Sequence, residues 1–418
     1  MTGDQAAIGN ARMADLVSDA EIGELRASLE AGLPAFLADL ERLVNVDCGS
    51  YSPAGVNEVA SWTAVFLRRL GASVERRPDP NGRFGDTVVA TLDRPGGGPR
   101  VLLIGHTDTV FPDGTAAERP FRVEDGRALG PGVSDMKGGL LTGLYAIASL
   151  RGLGAEQGLG GLGRITFIAN PDEEVGSPSS TPHIRAAAAE ADVALVLEGA
   201  RANGDVVSSR KGIIDARLTI HGRAAHAGVE PEKGRSAILA GAELVRGIHA
   251  LNGRWPGVTA NVGVFRSGTR PNVVPDRAEL EVDIRAVTAE TLAAASAALA
   301  ELASTPAVAD VTIELETTHS WAPMEKLERS GRLVEAAIEL ARRIGFETRD
   351  AATGGASDAN TTAGLGVPTI DGLGPVGGAD HSPFEYLEIA SIVPRATLVA
   401  TLILAVARDP VVAAWRTG

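Results

Sequence analysis

The chain has 418 residues, of which 44% are hydrophobic, 22% charged and only 4% aromatic, and it carries a formal net charge of −14. That length exceeds one ordinary core and predicts two lobes, each with its own apolar interior. The composition excludes a disordered, fibrous or membrane protein. The acidic balance argues against nucleic acid as the main partner, because phosphate binding needs a concentrated basic face.

The first thirty residues contain Asp4, Asp15, Asp19 and Glu21 and no apolar stretch behind a basic start, so no signal peptide is expected. Apolar residues at helical spacing (Leu25, Leu29, Leu33, Phe36, Leu37, Leu40, Leu43) predict helices over 20–47 and 55–70. Cys48, the sole cysteine, forms no internal disulfide, fits a reducing cytoplasm and reads as a small packed residue. Strands are predicted over 86–92 and 101–105. The second, Val-Leu-Leu-Ile, is apolar without alternation, as in a strand buried on both faces. A helix over 138–150, a glycine-rich loop over 152–163 and strands over 164–169 and 193–197 complete a pattern of alternating strands and helices. This predicts an α/β fold with a mostly parallel sheet covered by helices.

From Lys211 the order becomes β-α-β-β-α-β, with strands over 213–220, 258–265, 278–284 and 311–315 and helices over 236–251 and 289–303. It describes an inserted α+β domain of ferredoxin-like type. The predicted division is therefore 1–210, 211–318 and 319–418, with the first and last segments forming one discontinuous domain. A helix over 330–345, a glycine-rich turn over 353–357 and a closing helix after Ile389 follow. The apolar run Ile392–Val406 is interrupted by Pro394 and Arg395 and reads as a helix of a soluble protein, so no membrane partner is expected.

Acids and histidines fall at the strand exits. His106 and Asp108 follow 101–105, Glu173 and Glu174 follow 164–169, and Glu198 follows 193–197. In a parallel sheet these ends converge on one edge, the usual place for an α/β active site. His106, Asp135, Glu174, Glu198 and His381 form a mixed nitrogen and oxygen set suited to Zn²⁺. Five ligands exceed one zinc. With Asp135 bridging, His106 and Glu198 serve one ion, and Glu174 and His381 the other. Asp108, two residues past His106, is placed to accept the other ring N–H. Adjacent carboxylates at 173 and 174 repel unless metal holds one ionised, which leaves Glu173 unligated as general base.

Gly-His-Thr-Asp-Thr-Val (105–110), Gly-Pro-Gly-Val-Ser-Asp-Met-Lys-Gly-Gly (130–139), Pro-Asp-Glu-Glu-Val-Gly (171–176), Glu198, Ala-Ala-His-Ala-Gly (224–228) and Asp-His-Ser (380–382) resemble the zinc glutamate carboxypeptidase/aminoacylase family over roughly residues 40–410. The resemblance implies two zinc ions per subunit, replaceable by Co²⁺ or Mn²⁺, and a cis peptide after Asp135. It further implies that the inserted domain is a lid and dimerisation module whose histidine, His226, reaches the partner's metal site. Asn272 and Arg285 resemble positions that contact the substrate's carbonyl or carboxylate, and the Gly354–Gly355 turn would offer backbone N–H groups to that carboxylate. The implied reaction is hydrolysis of an amide beside a free carboxylate by a cytoplasmic homodimer acting on a small molecule.

The stretch from His106 to Asp135 most resembles the glutamate carboxypeptidase branch. That branch commonly carries a basic residue after the lid, whereas residues 317–323 offer His319 and Trp321, which points to an apolar or aromatic acyl group beside Trp321 in an aminoacylase or dipeptidase. An aminopeptidase needs an acidic anchor for a free amine, and none is identified. A non-catalytic metal-binding homologue is countered by the intact Glu173. His183, His221, His249 and His319 read as surface or packing residues, and Arg210 with Lys211 as a solvated pair.

Overall fold

The computed structural model describes residues 12–94, 97–154 and 159–415. Residues 1–11 of the stretch read as leaderless, and 155–158 of the glycine-rich loop, lie outside the described residues. In chain order the protein runs α1 (Asp19–Val44), α2 (Pro53–Arg69), β1 (Ser73–Arg77), β2 (Thr87–Asp93), β3 (Arg100–His106), β4 (Arg122–Glu124), β5 (Arg127–Leu129), α3 (Gly139–Gly152), β6 (Arg164–Asn170), α4 (Thr181–Ala189), β7 (Val193–Val196) and β8 (Val206–Arg210). Next come β9 (Gly212–His221), α5 (Ala237–His249), β10 (Thr259–Ser267), β11 (Arg277–Ala286), α6 (Ala289–Ser304) and β12 (Thr312–Trp321). The chain ends with α7 (Glu328–Ile344), β13 (Asp350–Thr353), α8 (Asp358–Gly364), β14 (Thr369–Ile370), β15 (Gly377–Gly378), β16 (Tyr386–Glu388) and α9 (Ile389–Arg408).

Two compact units result, one of Met1–Ser208, Lys326–Ala352 and Ser357–Gly418, the other of Ser209–Glu325 with Thr353–Ala356. The sequence-based boundary at 318/319 falls inside β12, because that strand runs to Trp321 and pairs with β9 along its length.

In the first unit the sheet order is β1-β2-β6-β3-β7-β14. β6, β3, β7 and β14 are parallel, while β1 and β2 join antiparallel at one edge. β3 is buried at all but its first residue, as its unbroken apolar run requires. α1 starts at a capping box, in which Ser18 Oγ accepts the Glu21 N–H at 3.3 Å and Glu21 accepts the Ser18 N–H at 2.9 Å. Its buried stripe, Leu25, Phe36, Leu40 and Leu43, joins Leu103, Phe167, Leu144, Leu398 and Leu402 in one core. α3 begins hard against the exit of β7: a Cβ on Gly139 would stand 1.8 Å from the Leu197 carbonyl oxygen, so only glycine permits this approach beside Glu198.

α9 is the closing helix expected from sequence, and it runs on through both Pro394 and Arg395. By length and composition it is apolar enough to cross a membrane, yet it is a core helix, buried over most of its length. Pro394, the sixth residue of α9, withholds the helical N–H donor from the Ala390 carbonyl, and the buried Arg395 turns inward onto backbone carbonyls.

The second unit is a four-stranded antiparallel sheet, β10-β11-β9-β12, in the predicted β-α-β-β-α-β order. Alternate residues of β11 (Ala278, Leu280, Val282, Ile284) bury against α5 and α6, which leaves Asp283 and Arg285 on the opposite face.

Candidate metal centre

Parallel register carries the ends of β3, β6 and β7 to one edge of the first unit's sheet, and the candidate ligands follow directly. His106 closes β3 opposite Asn170, the last residue of β6. Asp135 lies in the loop before α3 and precedes a cis peptide to Met136, as the resemblance implies. His381 sits at φ +61, a left-handed backbone that a Cβ disfavours.

Asp135 stands between the two histidines. Its Oδ1 is 3.1 Å from His106 Nε2, and its Oδ2 is 3.1 Å from His381 Nε2. Glu198 approaches His106 Nε2 at 3.8 Å, and Glu174 approaches His381 Nε2 at 3.1 Å. The edge of a tetrahedron around zinc with bonds of ~2.0 Å is about 3.3 Å. These separations therefore suit donors facing a common cation, and His106, Asp135 and Glu174 form one such group. Glu173 forms a second group with His106 and Glu198, their ligand atoms within 4.8 Å of one another.

The electrostatics agree. His381 is pushed up to about 10 by Asp135 and Glu174. His106 rises well above its usual range although burial opposes its charge, because Asp108 and Asp135 face it. Burial, with Glu198 nearby, drives Glu173 upward, and burial raises Glu174 against the pull of His381. Two imidazoles that draw protons this strongly mark a site short of positive charge. Divalent cations supply that charge and displace the protons. The donor set thus fits divalent metal.

Asp108 does more than sequence spacing suggested. His106 Nδ1 lies 3.0 Å from the Asp108 backbone carbonyl oxygen and 3.3 Å from its carboxylate. The carboxylate also accepts the Ser50 hydroxyl at 2.7 Å and the N–H groups of Glu173 and Glu174 at 3.2 Å each, so it sets both the ring and the Glu173–Glu174 turn. Sequence reasoning missed the acids beneath this turn. Asp358 accepts from Asn170 Nδ2 at 2.7 Å and Ser177 Oγ at 2.6 Å, and Asp172 accepts from Ser180 Oγ at 2.6 Å. Burial raises Asp358 to about 7 and Asp172 to about 6. Glu385 was also missed. Its carboxylate takes three backbone N–H groups of the Asp135 loop, with burial raising it to about 7 against their pull.

The other candidates lie in the second unit. His226 is exposed, and its Nδ1 accepts the Gly228 N–H at 3.1 Å, which leaves the proton on Nε2. The Ala227 N–H donates to the Asn272 carbonyl at 3.0 Å, and His226 pairs with Val273, so the two candidate-bearing loops adjoin. Arg285 departs from the expected free clamp. Its Nε lies 3.1 Å from both Asp283 oxygens and Nη2 lies 3.0 Å from one, because Asp283 shares its strand face two residues away, while Nη1 donates to the Gly354 carbonyl at 2.9 Å. The Gly355 N–H meets Thr353 Oγ1 at 3.4 Å, and its carbonyl accepts from Arg210, which is buried instead of solvated. Trp321 is 9% exposed with His319 edge-on at 4.8 Å, so it offers no open wall to an acyl group.

Imidazoles and carboxylates gathered at a sheet edge define a metal-dependent hydrolase. The chain belongs to peptidase family M20/M25/M40, whose profile matches residues 102–405, and it is a metallopeptidase of that family. It is 32% identical over 377 residues to Carboxypeptidase G2 of Pseudomonas sp. (strain RS-16), covering 89% of each chain. It is 28% identical over 363 residues to the acetylornithine deacetylase of Proteus mirabilis (strain HI4320), covering 83% of this chain and 88% of that one. Its structure resembles the aminopeptidase PepT of Bacillus cereus ATCC 10987 with a TM-score of 0.72 and 25% identity, covering 90% and 99% of the two chains.

Proposed function

We propose that this metallopeptidase is a di-zinc enzyme of carboxypeptidase type that hydrolyses an amide bond beside a free carboxylate. The carrying observation is the division of Asp135, one oxygen toward His106 and the other toward His381. His106 and Glu198 would hold one ion and Glu174 and His381 the other, with Co²⁺ or Mn²⁺ as substitutes that the same donors accept. When bound, the ions would polarise the scissile carbonyl and acidify a water. Glu173 accepts the water's proton and returns it to the leaving nitrogen. His226 donates from Nε2 to the developing oxyanion, and Arg285, Asn272 and the Gly355 turn receive the substrate's carboxylate or carbonyl. Carboxypeptidase and acetylornithine deacetylase, the activities named for the relatives, both split an amide of an amino acid, which supports this bond type.

One observation favours an N-acyl-amino-acid amidohydrolase or dipeptidase acting on residues other than glutamate. Asp283, Asp215 and His319 are cross-strand partners on the face that carries Arg285. Asp215 has no ion pair among the described residues, and burial together with Asp283 raises it. A second substrate carboxylate there would meet Asp215, so a neutral or basic side chain is the better fit. We also propose a cytoplasmic homodimer formed through the second unit. The resemblance supports the dimer, and the lone buried Cys48 agrees with the compartment.

The test is amino-acid release, read by mass spectrometry, from N-acyl amino acids, C-terminal glutamate peptides and dipeptides with zinc-loaded protein. Glu173→Ala should abolish release and keep its zinc. Absence of release from every metal-replete sample would overturn the reading.

A further inference from the structure

Glu385 stands four residues after His381 and is 2% exposed. Its Oε1 accepts the N–H groups of Ser134 at 2.8 Å and Asp135 at 3.0 Å, and its Oε2 accepts that of Gly132 at 2.9 Å. The loop that carries Asp135 thus hangs, through three backbone donors, from a side chain of the loop that carries His381. Two more links join the same segments. Tyr386 and Leu387 of β16 pair with Leu129 and Ala128 of β5, just before Gly132, and Arg119 Nη1 donates to the Ser382 carbonyl at 3.3 Å. The proposed chemistry gives Glu385 no contact with substrate.

We propose that Glu385 is a positioning residue for the metal centre: it locks the Asp135 loop to the His381 loop, so that the two Asp135 oxygens face both ligand groups at once. This rests on the reading of Asp135 and His381 as ligands. A carboxylate suits the task because its two oxygens accept from all three donors. A glutamine would keep the Ser134 and Asp135 bonds through its oxygen and set its NH₂ against the Gly132 N–H, donor to donor. The loop would tilt at Gly132, which has φ +71, and Asp135 would move with it.

The experiment loads wild type, Glu385→Gln and Glu385→Ala with Co²⁺ by equilibrium dialysis, counts bound metal by mass spectrometry, and records the Co²⁺ visible absorption and steady-state kinetics. Glu385→Gln is expected to bind Co²⁺ at least tenfold more weakly, the lower end of the roughly 10–100-fold cost of losing an outer partner of a ligand. Its absorption bands should shift, and kcat should fall with KM little changed. The control is Asp409→Asn, at a buried carboxylate that accepts from Val411 at 2.8 Å and pairs with Arg332 at 2.6 Å. It should lower the melting temperature and leave metal count and spectrum alone. Unchanged Co²⁺ affinity and spectrum in both Glu385 variants overturns the proposal, even if they melt earlier. A wild type that takes up no Co²⁺ overturns the ligand reading and this proposal with it.

Discussion

Arg395 sits in α9 at 1% exposure and donates to three glycine carbonyls, those of Gly374 at 2.9 Å, Gly204 at 3.0 Å and Gly372. Replacing it with methionine would keep most of the volume and leave the Gly374 and Gly372 carbonyls unpaired, at roughly 2 kcal/mol each, while the Gly204 carbonyl keeps the Thr348 Oγ1 donor at 2.9 Å. Burying the charge also costs something in the native protein. The guanidinium is lowered by burial to about 10 from its usual 12.5, and that difference corresponds to roughly 3 kcal/mol recovered when the charge is removed. The expected net loss is therefore about 1 kcal/mol, measured by urea unfolding followed by circular dichroism. Arg395→Lys should fall nearly as far, because one ammonium cannot replace the planar fork. The damage should also reach the metal centre, since the Gly374 N–H donates to the Glu198 carbonyl at 2.8 Å. A gain in stability in Arg395→Met would refute this reasoning.

Asp108→Asn sets an amide among the donors Ser50, Glu173 and Glu174, and is expected to lower zinc affinity and kcat by roughly 10–100-fold; dialysis and steady-state rates check it, and wild-type values would remove Asp108 from its organising role. Glu21 is held at about 2, below its usual 4.5, by the Arg408 guanidinium. Its folded value is depressed, so its stabilisation is fully present above about pH 4.5 and is lost as pH falls toward 2. Melting curves should show Glu21→Gln less stable than wild type at pH 7 and converging with it below pH 4.5; a constant gap would contradict the assignment. Asp215→Asn should raise kcat/KM for N-acyl-glutamate over N-acyl-leucine by roughly tenfold by removing a facing charge, and an unchanged ratio would place the substrate side chain elsewhere.

The strands that frame the centre were readable because each is a short, unbroken apolar run, and the candidate ligands because each stands within a few residues of a strand exit or in a recognisable motif. What escaped was non-local. Glu385 and Asp358 act through partners 250 and 188 residues away in sequence, in bonds to backbone groups or amides that leave no local spacing. The inward course of Arg395 was equally illegible, because a buried arginine that satisfies itself on carbonyls distant in sequence leaves no local pattern. Trp321, expected beside an acyl group, is instead the covered last residue of β12. The short β15-β16-β5-β4 sheet, with strands of two or three residues, gave no periodicity to detect.

The insertion of the second unit has a consequence for biosynthesis. His106, Asp135, Glu174 and Glu198 all precede Ser209, whereas His381 and Glu385 lie in the last returning segment, Ser357–Gly418. During translation four candidate ligands leave the ribosome before about 180 further residues, the inserted unit among them, separate them from the fifth. β14, which closes the edge of the sheet beside β7, is equally late. A chain that stops within the inserted unit lacks His381 and β14, so it leaves Glu174 without its proposed partner ligand and the sheet open beside β7.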